Sequence, residues 1–315
     1  MITDNNTEMD LIKSIKSCMR HILQKRGYDI CKVYRKNIRN GKQYMNIGNI
    51  SLAMPLDHDL PNILYLHPLY SHNLPDIASF MVKKYTTLGI VDVGANIGDT
   101  VALILNKVKD NISFLCIEGN NEYIPYLIDN LSGIYNVEIV DSYLSDTNAK
   151  STVEVITEYG SAHVKEGVRL SEIEFTTLDS IMNDHQQDAM RYKLLKIDTD
   201  GFDFKIIRGG LKYIEKVRPV IFFEYDRDFL NEQNDYGFEI FDSLFDIGYE
   251  KLLVYDCLGN FLLPIEKNNF NTVFCYLDRY IKGKHNAIMY FDICLFHDMD
   301  SDLFDEIIDY EINKC

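Results

Sequence analysis

The residues with the most chemistry in them are bunched. Lys196, Asp198, Asp200 and Asp203 fall within one stretch, LLKIDTDGFDFKIIRGG, residues 194–210. Leu194, Leu195 and Ile197 read as a buried strand, so Asp198 stands at its carboxyl end, where open parallel sheets bind ligands. Lys196 is two residues earlier, on the same face of the strand. Glu224 ends a second such run, VIFF at 220–223, which follows Arg218-Pro219. Carboxylates beside a lysine at strand ends suit proton transfer or oxygen ligation of a hard cation. Asp203 fits a plainer role, as an acid in the first turn of a helix that ends at Gly209-Gly210.

A second constellation lies upstream. GIVDVGANIGDT, residues 89–100, reads as strand, glycine turn, helix. Ile90, Val91 and Val93 make the buried run, Asp92 sits near its end, and Gly94 and Gly98 bracket the turn. Such a turn lets backbone approach a ligand beside a helix N-terminus; in any α/β protein it also serves as a tight connection. A dinucleotide fingerprint needs G-x-G-x-x-G, and Asn96 stands where its second glycine belongs. Acid, hydrophobic, Gly-x-x-x-Gly is closer to the first motif of S-adenosylmethionine-dependent methyltransferases, whose ligand has a ribose and an adenine but no pyrophosphate. ISFLCI, residues 112–117, is the next strand and ends at Glu118, 20 residues beyond Gly98. An acid there is placed to accept hydrogen bonds from both ribose hydroxyls. Val137 to Val140 is a third strand, and Asp141 and Ser142 at its end are candidates for the adenine edge.

These residues need an open sheet to hold them, and the chain is long enough to build one. It has 315 residues, 46% of them hydrophobic, no tryptophan, and a formal net charge of -16. That charge argues against a nucleic-acid partner. Seven cysteines are scattered without a C-x-x-C pair, which points to free thiols in a reducing cytoplasm. No apolar run has the length of a bilayer span, and the polar start MITDNNTEMD is not a secretory signal.

Met9 to Lys25 carries one helical apolar stripe. Cys31 to Tyr34 and Tyr44 to Ile47 read as strands around an Asn40-Gly41 hairpin. Asp57 to Pro75 reads as a loop; the spacing of His58, His67 and His72 in it matches no zinc pattern. Ile77 to Tyr85 is helical. The alternating stretches Ser151 to Ile156 and Glu172 to Thr176 look like an insertion or lid before the fourth core strand. Tyr249 to Tyr255 and Asn271 to Leu277 are expected as the last two, antiparallel strands of a seven-stranded sheet. Ile288 to Phe296 and an acidic amphipathic helix, Asp300 to Glu311, form a tail that docks on the body or on a second copy.

Taken together, VDVGANIGDT, CIEGNNEYIPYLIDNL, FTTLDSIM, KLLKIDTDGFDFKIIRGG and RPVIFFEYD resemble the FkbM family of S-adenosylmethionine-dependent methyltransferases, in that order and spacing. ISLAMPLDHDLPNILYLHPLY looks like the family's lead-in. The resemblance covers about residues 50–280. The family usually reads close to K-I-D-x-E-G-x-E, whereas here Asp200 and Asp203 replace both glutamates, each arm one methylene shorter.

The resemblance implies an α/β, class I (Rossmann-like) fold with a seven-stranded, mostly parallel sheet and an antiparallel last strand. It implies O-methylation of a sugar, glycan or related small metabolite. The expected layout is an N-terminal helix and small β extension over 1–85, serving as substrate lid or dimer element. A cofactor-binding domain follows over 86–282, then a C-terminal strand and acidic helix over 283–315. S-adenosylmethionine is expected at Asp92, Gly94, Asn96, Gly98, Glu118, Asp141 and Ser142. Asp198 is expected nearest the acceptor, with Asp200 and Glu224 as partners and Lys196 orienting a carboxylate. The same three carboxylates are the expected ligands if Mg2+ takes part. A non-catalytic binding protein on the same scaffold and a nicotinamide-dependent oxidoreductase are the competing expectations.

Overall fold

The computed structural model of the chain describes residues 36–158, 160–165, 171–185, 188–235, 237–283 and 288–314, with Met19, Arg20, Ile22, Leu23 and Lys25. The chain divides into two units, Met1–Arg35 and Lys36–Cys315. In the first, Met19, Arg20, Ile22 and Leu23 are helical; most of the expected stripe from Met9, and the expected strand Cys31 to Tyr34, lie outside the described residues.

The second unit is built on an eight-stranded sheet. Its strands, numbered along the chain, are β1 (Leu88–Val93), β2 (Ile112–Glu118), β3 (Val137–Asp141), β4 (Tyr192–Ile197), β5 (Val220–Tyr225), β6 (Tyr249–Asp256), β7 (Phe261–Glu266) and β8 (Phe291–His297). Their order in space is β7-β6-β8-β5-β4-β1-β2-β3. The five strands from β3 to β5 are mutually parallel. β8 runs antiparallel to both β5 and β6, and β7 is antiparallel to β6.

Successive residues of each central strand feed opposite faces. Val91, Leu115, Leu195, Ile221 and Phe223 belong to one core cluster. Ile90, Phe114, Cys116, Leu194, Val220 and Phe222 belong to the other. A parallel sheet covered on both faces requires such near-continuous apolar runs. The strand order reverses between β1 and β4, and ligands of open α/β sheets bind outside the strand ends at such a switch point. The Gly94 turn follows β1 and Asp198 follows β4, so the fold delivers both sequence constellations to one crevice.

Two smaller sheets flank this frame. One joins Asn37–Arg39, Lys42–Ile47 and Ile50–Met54. Its first hairpin turns on Asn40 and Gly41, at φ 50° and 74°, the left-handed pair that a two-residue turn wants. The other joins Tyr143–Leu144, Ser171–Thr176, Ala149–Glu158 and Ser161–Lys165, which is the expected insertion.

Three sequence expectations change. Asn271 to Leu277 is not a strand; it lies in the helix Phe270–Lys282. The strand that belongs in its place is β8, from the stretch assigned to a tail, and it sits inside the sheet rather than beside it. The segment read as a loop over 57–75 contains the helix Leu60–Leu66, opened by Pro61, as proline favours. Leu74, Ile77, Ala78 and Met81 of the helix Asn73–Tyr85 pack with Ile90, Val101 and Ile104 of the central sheet and its first helix. The C-terminal helix Ser301–Lys314 docks on the body through Leu303, Phe304 and Ile307. Lys314 Nζ pairs with Asp76 at 2.8 Å there.

Candidate active site

The glycine turn is fixed first by packing. Gly94 has φ 74°, and a Cβ on it would lie 1.9 Å from the Asp198 carbonyl oxygen. Only glycine lets the ends of β1 and β4 approach this closely. Gly98 caps the following helix at φ 86°, with Leu131 where its Cβ would go; it does not line the crevice. Asn96 takes φ 50°, a conformation asparagine tolerates, and its groups tie three segments together. Its N–H donates to Glu118 Oε2 at 2.8 Å, and its Nδ2 donates to the Gly160 carbonyl at 2.6 Å. His58 Nδ1 accepts the Leu60 N–H at 3.3 Å, so the ring proton sits on Nε2 and donates to Asn96 Oδ1, also 3.3 Å away. Burial holds the His58 pKa below its ordinary value, in keeping with a neutral ring.

Gly94, Asn96, Glu118, Ser142, Tyr143 and Asp198 are among the residues lining a cavity of about 610 Å3, its open mouth included. Glu118 is 8% exposed. Its Oε1 accepts the Asn120 N–H at 2.7 Å, while its Oε2 takes that of Asn96. Burial raises its pKa, opposed by these backbone donors. Phe175 and Phe202, stacked 5.5 Å apart, give the cavity an apolar wall together with Leu144 and Ile206. Ser142 lines the cavity, but Asp141 does not; it lies exposed at the end of β3.

Lys196 is the hinge of the second cluster. It is 4% exposed. Its Nζ donates to the Gly94 carbonyl at 3.1 Å and lies 3.0 Å from Asp92 Oδ1 and 3.4 Å from Asp198 Oδ2. The Asp92 contact is an ion pair, not an aligned hydrogen bond, since neither Asp92 oxygen has a hydrogen-bonding partner. Burial opposes the lysine charge, yet Asp92, Asp198 and Asp99 overcome it and hold the ammonium above its usual pKa. Asp92 itself is fully buried; burial pushes it up to about 6 despite Lys196.

Asp198, Asp200 and Glu224 line one cavity with Lys196. Burial, then the charges of Asp198, Asp200, Asp203 and Asp226, holds Glu224 well above the usual carboxylate range. Asp203 is buried away from this cavity. It accepts from Thr199 Oγ1 at 2.9 Å and from the Glu224 N–H at 3.3 Å, bracing two strand ends as a first-turn acid.

The sequence left out several residues that line this side, namely Tyr70, Asp99, Tyr290 and Asp292. The last two arrive with β8, whose misplacement hid them. The alternation in FDICLFH, with Asp292 out of the apolar phase, was the available signal. Among the described residues, no group of three His, Cys, Asp or Glu side chains is arranged to hold a metal ion. Asp198, Asp200 and Glu224 therefore do not fit a metal centre.

An open sheet of this order, with a crevice at its reversal, is the class I, Rossmann-like methyltransferase architecture, extended here by the edge strand β7. Residues 92–251 match the methyltransferase FkbM domain, and the chain belongs to the FkbM methyltransferase family. Three solved structures are similar at low identity. Methyltransferase FkbM from Methylobacillus flagellatus KT is 15% identical over 49% of this chain and 37% of its own, with a TM-score of 0.36. The chain thus spans little more than a third of that protein's length. Precorrin-6y C5,15-methyltransferase from Geobacter metallireducens GS-15 is 14% identical over 67% of this chain and 80% of its own, TM-score 0.34. The plantazolicin methyltransferase BpumL in complex with SAH is 8% identical over 75% and 87%, TM-score 0.37. No curated protein matches the chain. No helix among the described residues is long and apolar enough to cross a membrane.

Proposed function

We propose that the chain is an S-adenosylmethionine-dependent methyltransferase acting on a hydroxyl of a sugar, glycan or related metabolite. The observation that carries this is Asp198, which lines both the Glu118 cavity and the carboxylate-lined cavity beside it. The residues present fit the cofactor. Each Glu118 oxygen is fixed by one backbone N–H, which leaves lone pairs for ribose hydroxyls. Leu144, Phe175 and Phe202 offer an apolar bed for adenine, with Ser142 at its edge. Bound there, S-adenosylmethionine supplies an electrophilic methyl group on a cationic sulfur.

The chain's own groups do the rest. Asp198, its side chain half exposed, accepts the proton of an acceptor hydroxyl as its oxygen becomes the nucleophile. Lys196 fixes the Asp198 carboxylate from beneath, and Glu224 and Asp200 face the same acceptor. Holding the two reactants in one crevice supplies much of the rate. The free cysteines Cys116, Cys257, Cys275 and Cys294 support a reducing compartment, the cytoplasm.

Calorimetry with S-adenosylhomocysteine and transfer of labelled methyl into extracted glycans and small metabolites test this reading. Asp198→Asn is expected to cut transfer by about 100-fold or more while S-adenosylhomocysteine affinity stays within about threefold. Unchanged turnover removes Asp198 from the mechanism. Binding of a nicotinamide dinucleotide instead would favour an oxidoreductase, and binding without any transfer a non-catalytic scaffold.

A further inference from the structure

A second cavity adjoins the carboxylate-lined one, sharing Tyr70, Lys196, Asp198, Glu224 and Tyr290 with it, and its ionisable lining is mostly acidic. Asp99, Asp198, Glu224 and Asp292 line it, and Lys196 is the one cationic side chain among its lining residues. That lysine is already engaged by Asp92, Asp198 and the Gly94 carbonyl. Asp292 stands opposite Glu224 in the β5–β8 register; Asn73 Nδ2 donates to its Oδ2 at 3.3 Å. The Glu224 carboxyl and the Tyr70 and Tyr290 hydroxyls, which line the same space, have no hydrogen-bonding partner among the described residues. Burial and then the Asp198 charge push Asp292 up to about 8, against the Asn73 hydrogen bond and the Lys196 charge; an ammonium beside it would favour its charged form. The acids do not converge on a point where a metal ion would fit. Two tyrosine rings beside carboxylates suit a nitrogen cation.

We propose that this cavity selects an acceptor bearing an ammonium group near the hydroxyl to be methylated, an amino sugar or amino alcohol, with Asp292 and Glu224 as the carboxyls that receive the ammonium. The proposal rests on the reading that the carboxylate-lined cavity receives the acceptor, whose ammonium then reaches into this adjoining space.

The test uses the full chain saturated with S-adenosylhomocysteine and a matched pair of probes, D-glucosamine and D-glucose, which differ by an ammonium in place of one hydroxyl. Calorimetry at pH 7 is expected to give glucosamine at least about tenfold tighter binding. Asp292→Asn is expected to shrink the difference to about threefold or less without changing S-adenosylhomocysteine affinity. Equal affinities, or no binding of either sugar, overturn the proposal. Magnesium chloride titrated into chelator-treated protein is the second arm: binding that Asp292→Asn abolishes would give the carboxyls to a metal and overturn it as well. Should Asp292→Asn fail to fold by circular dichroism, the wild-type comparison decides alone. Failure of S-adenosylhomocysteine to bind would remove the cofactor reading instead, and the same sugar pair titrated without it would still decide this one.

Discussion

Lys196 and Asp92 face each other in register across β4 and β1, Nζ 3.0 Å from Oδ1. This ion pair lies beneath the switch point, with both side chains out of water. A buried pair adds little net stability, but removing one partner strands the other. Lys196→Met is expected to cost about 3–5 kcal/mol at pH 7, read by urea unfolding. The pH dependence has a definite sign. Folding raises the Asp92 pKa to about 6, so the folded state binds the extra proton. Its contribution is complete below the unfolded carboxylate pKa and is lost as pH rises through 6. Between about pH 4 and 6, wild type is expected to lose about 1 kcal/mol per pH unit relative to Asp92→Asn. Parallel stability curves for the two proteins would contradict this.

Glu118 has a structural task as well as a proposed binding one. Glu118→Ala removes the acceptor of two backbone N–H groups and is expected to cost about 2 kcal/mol in stability. Glu118→Gln keeps a carbonyl oxygen and should melt closer to wild type. Both are expected to weaken S-adenosylhomocysteine binding by about tenfold or more. Calorimetry beside thermal melts separates the two effects; a Gln variant that binds as well as wild type would take the ribose role away.

Truncation after Gly283 tests the placement of β8. If the C-terminal segment were an appendage, its removal would leave the sheet intact. Because β8 pairs with both β5 and β6 and buries Ile293, Cys294, Leu295 and Phe296 completely, the truncated chain is expected to lose cooperative unfolding. Circular dichroism melts and soluble yield read the result.

What the sequence made legible was local. The β1 turn, Glu118 at the end of β2 and the Lys196–Asp198 step each sit inside one strand–turn–helix unit, where periodicity and glycine positions suffice. What it concealed was long-range. Phe270, Val273, Phe274, Leu277 and Ile281 recur at helical spacing, yet the β-branched and aromatic content of NTVFCYL suggested a strand. Cys257 to Pro264 reads as an excursion between strands, yet Phe261–Glu266 forms β7, and an edge strand accepts proline. Asp292 was out of the apolar phase of FDICLFH, but nothing within that stretch says that it enters a gap between strands made earlier, so the signal did not point to the crevice. Asp141 stands at the strand end as expected, but it is not among the residues lining the cavity that its neighbour Ser142 lines.

The late entry of β8 bears on how the protein is made. On the ribosome, β5 and β6 are complete by Asp256, yet their facing edges cannot be covered until His297 has been added. Through that interval two apolar strand edges stand open to other nascent chains. Chaperone protection of this span during synthesis, rather than ligand, should then limit the yield of folded protein.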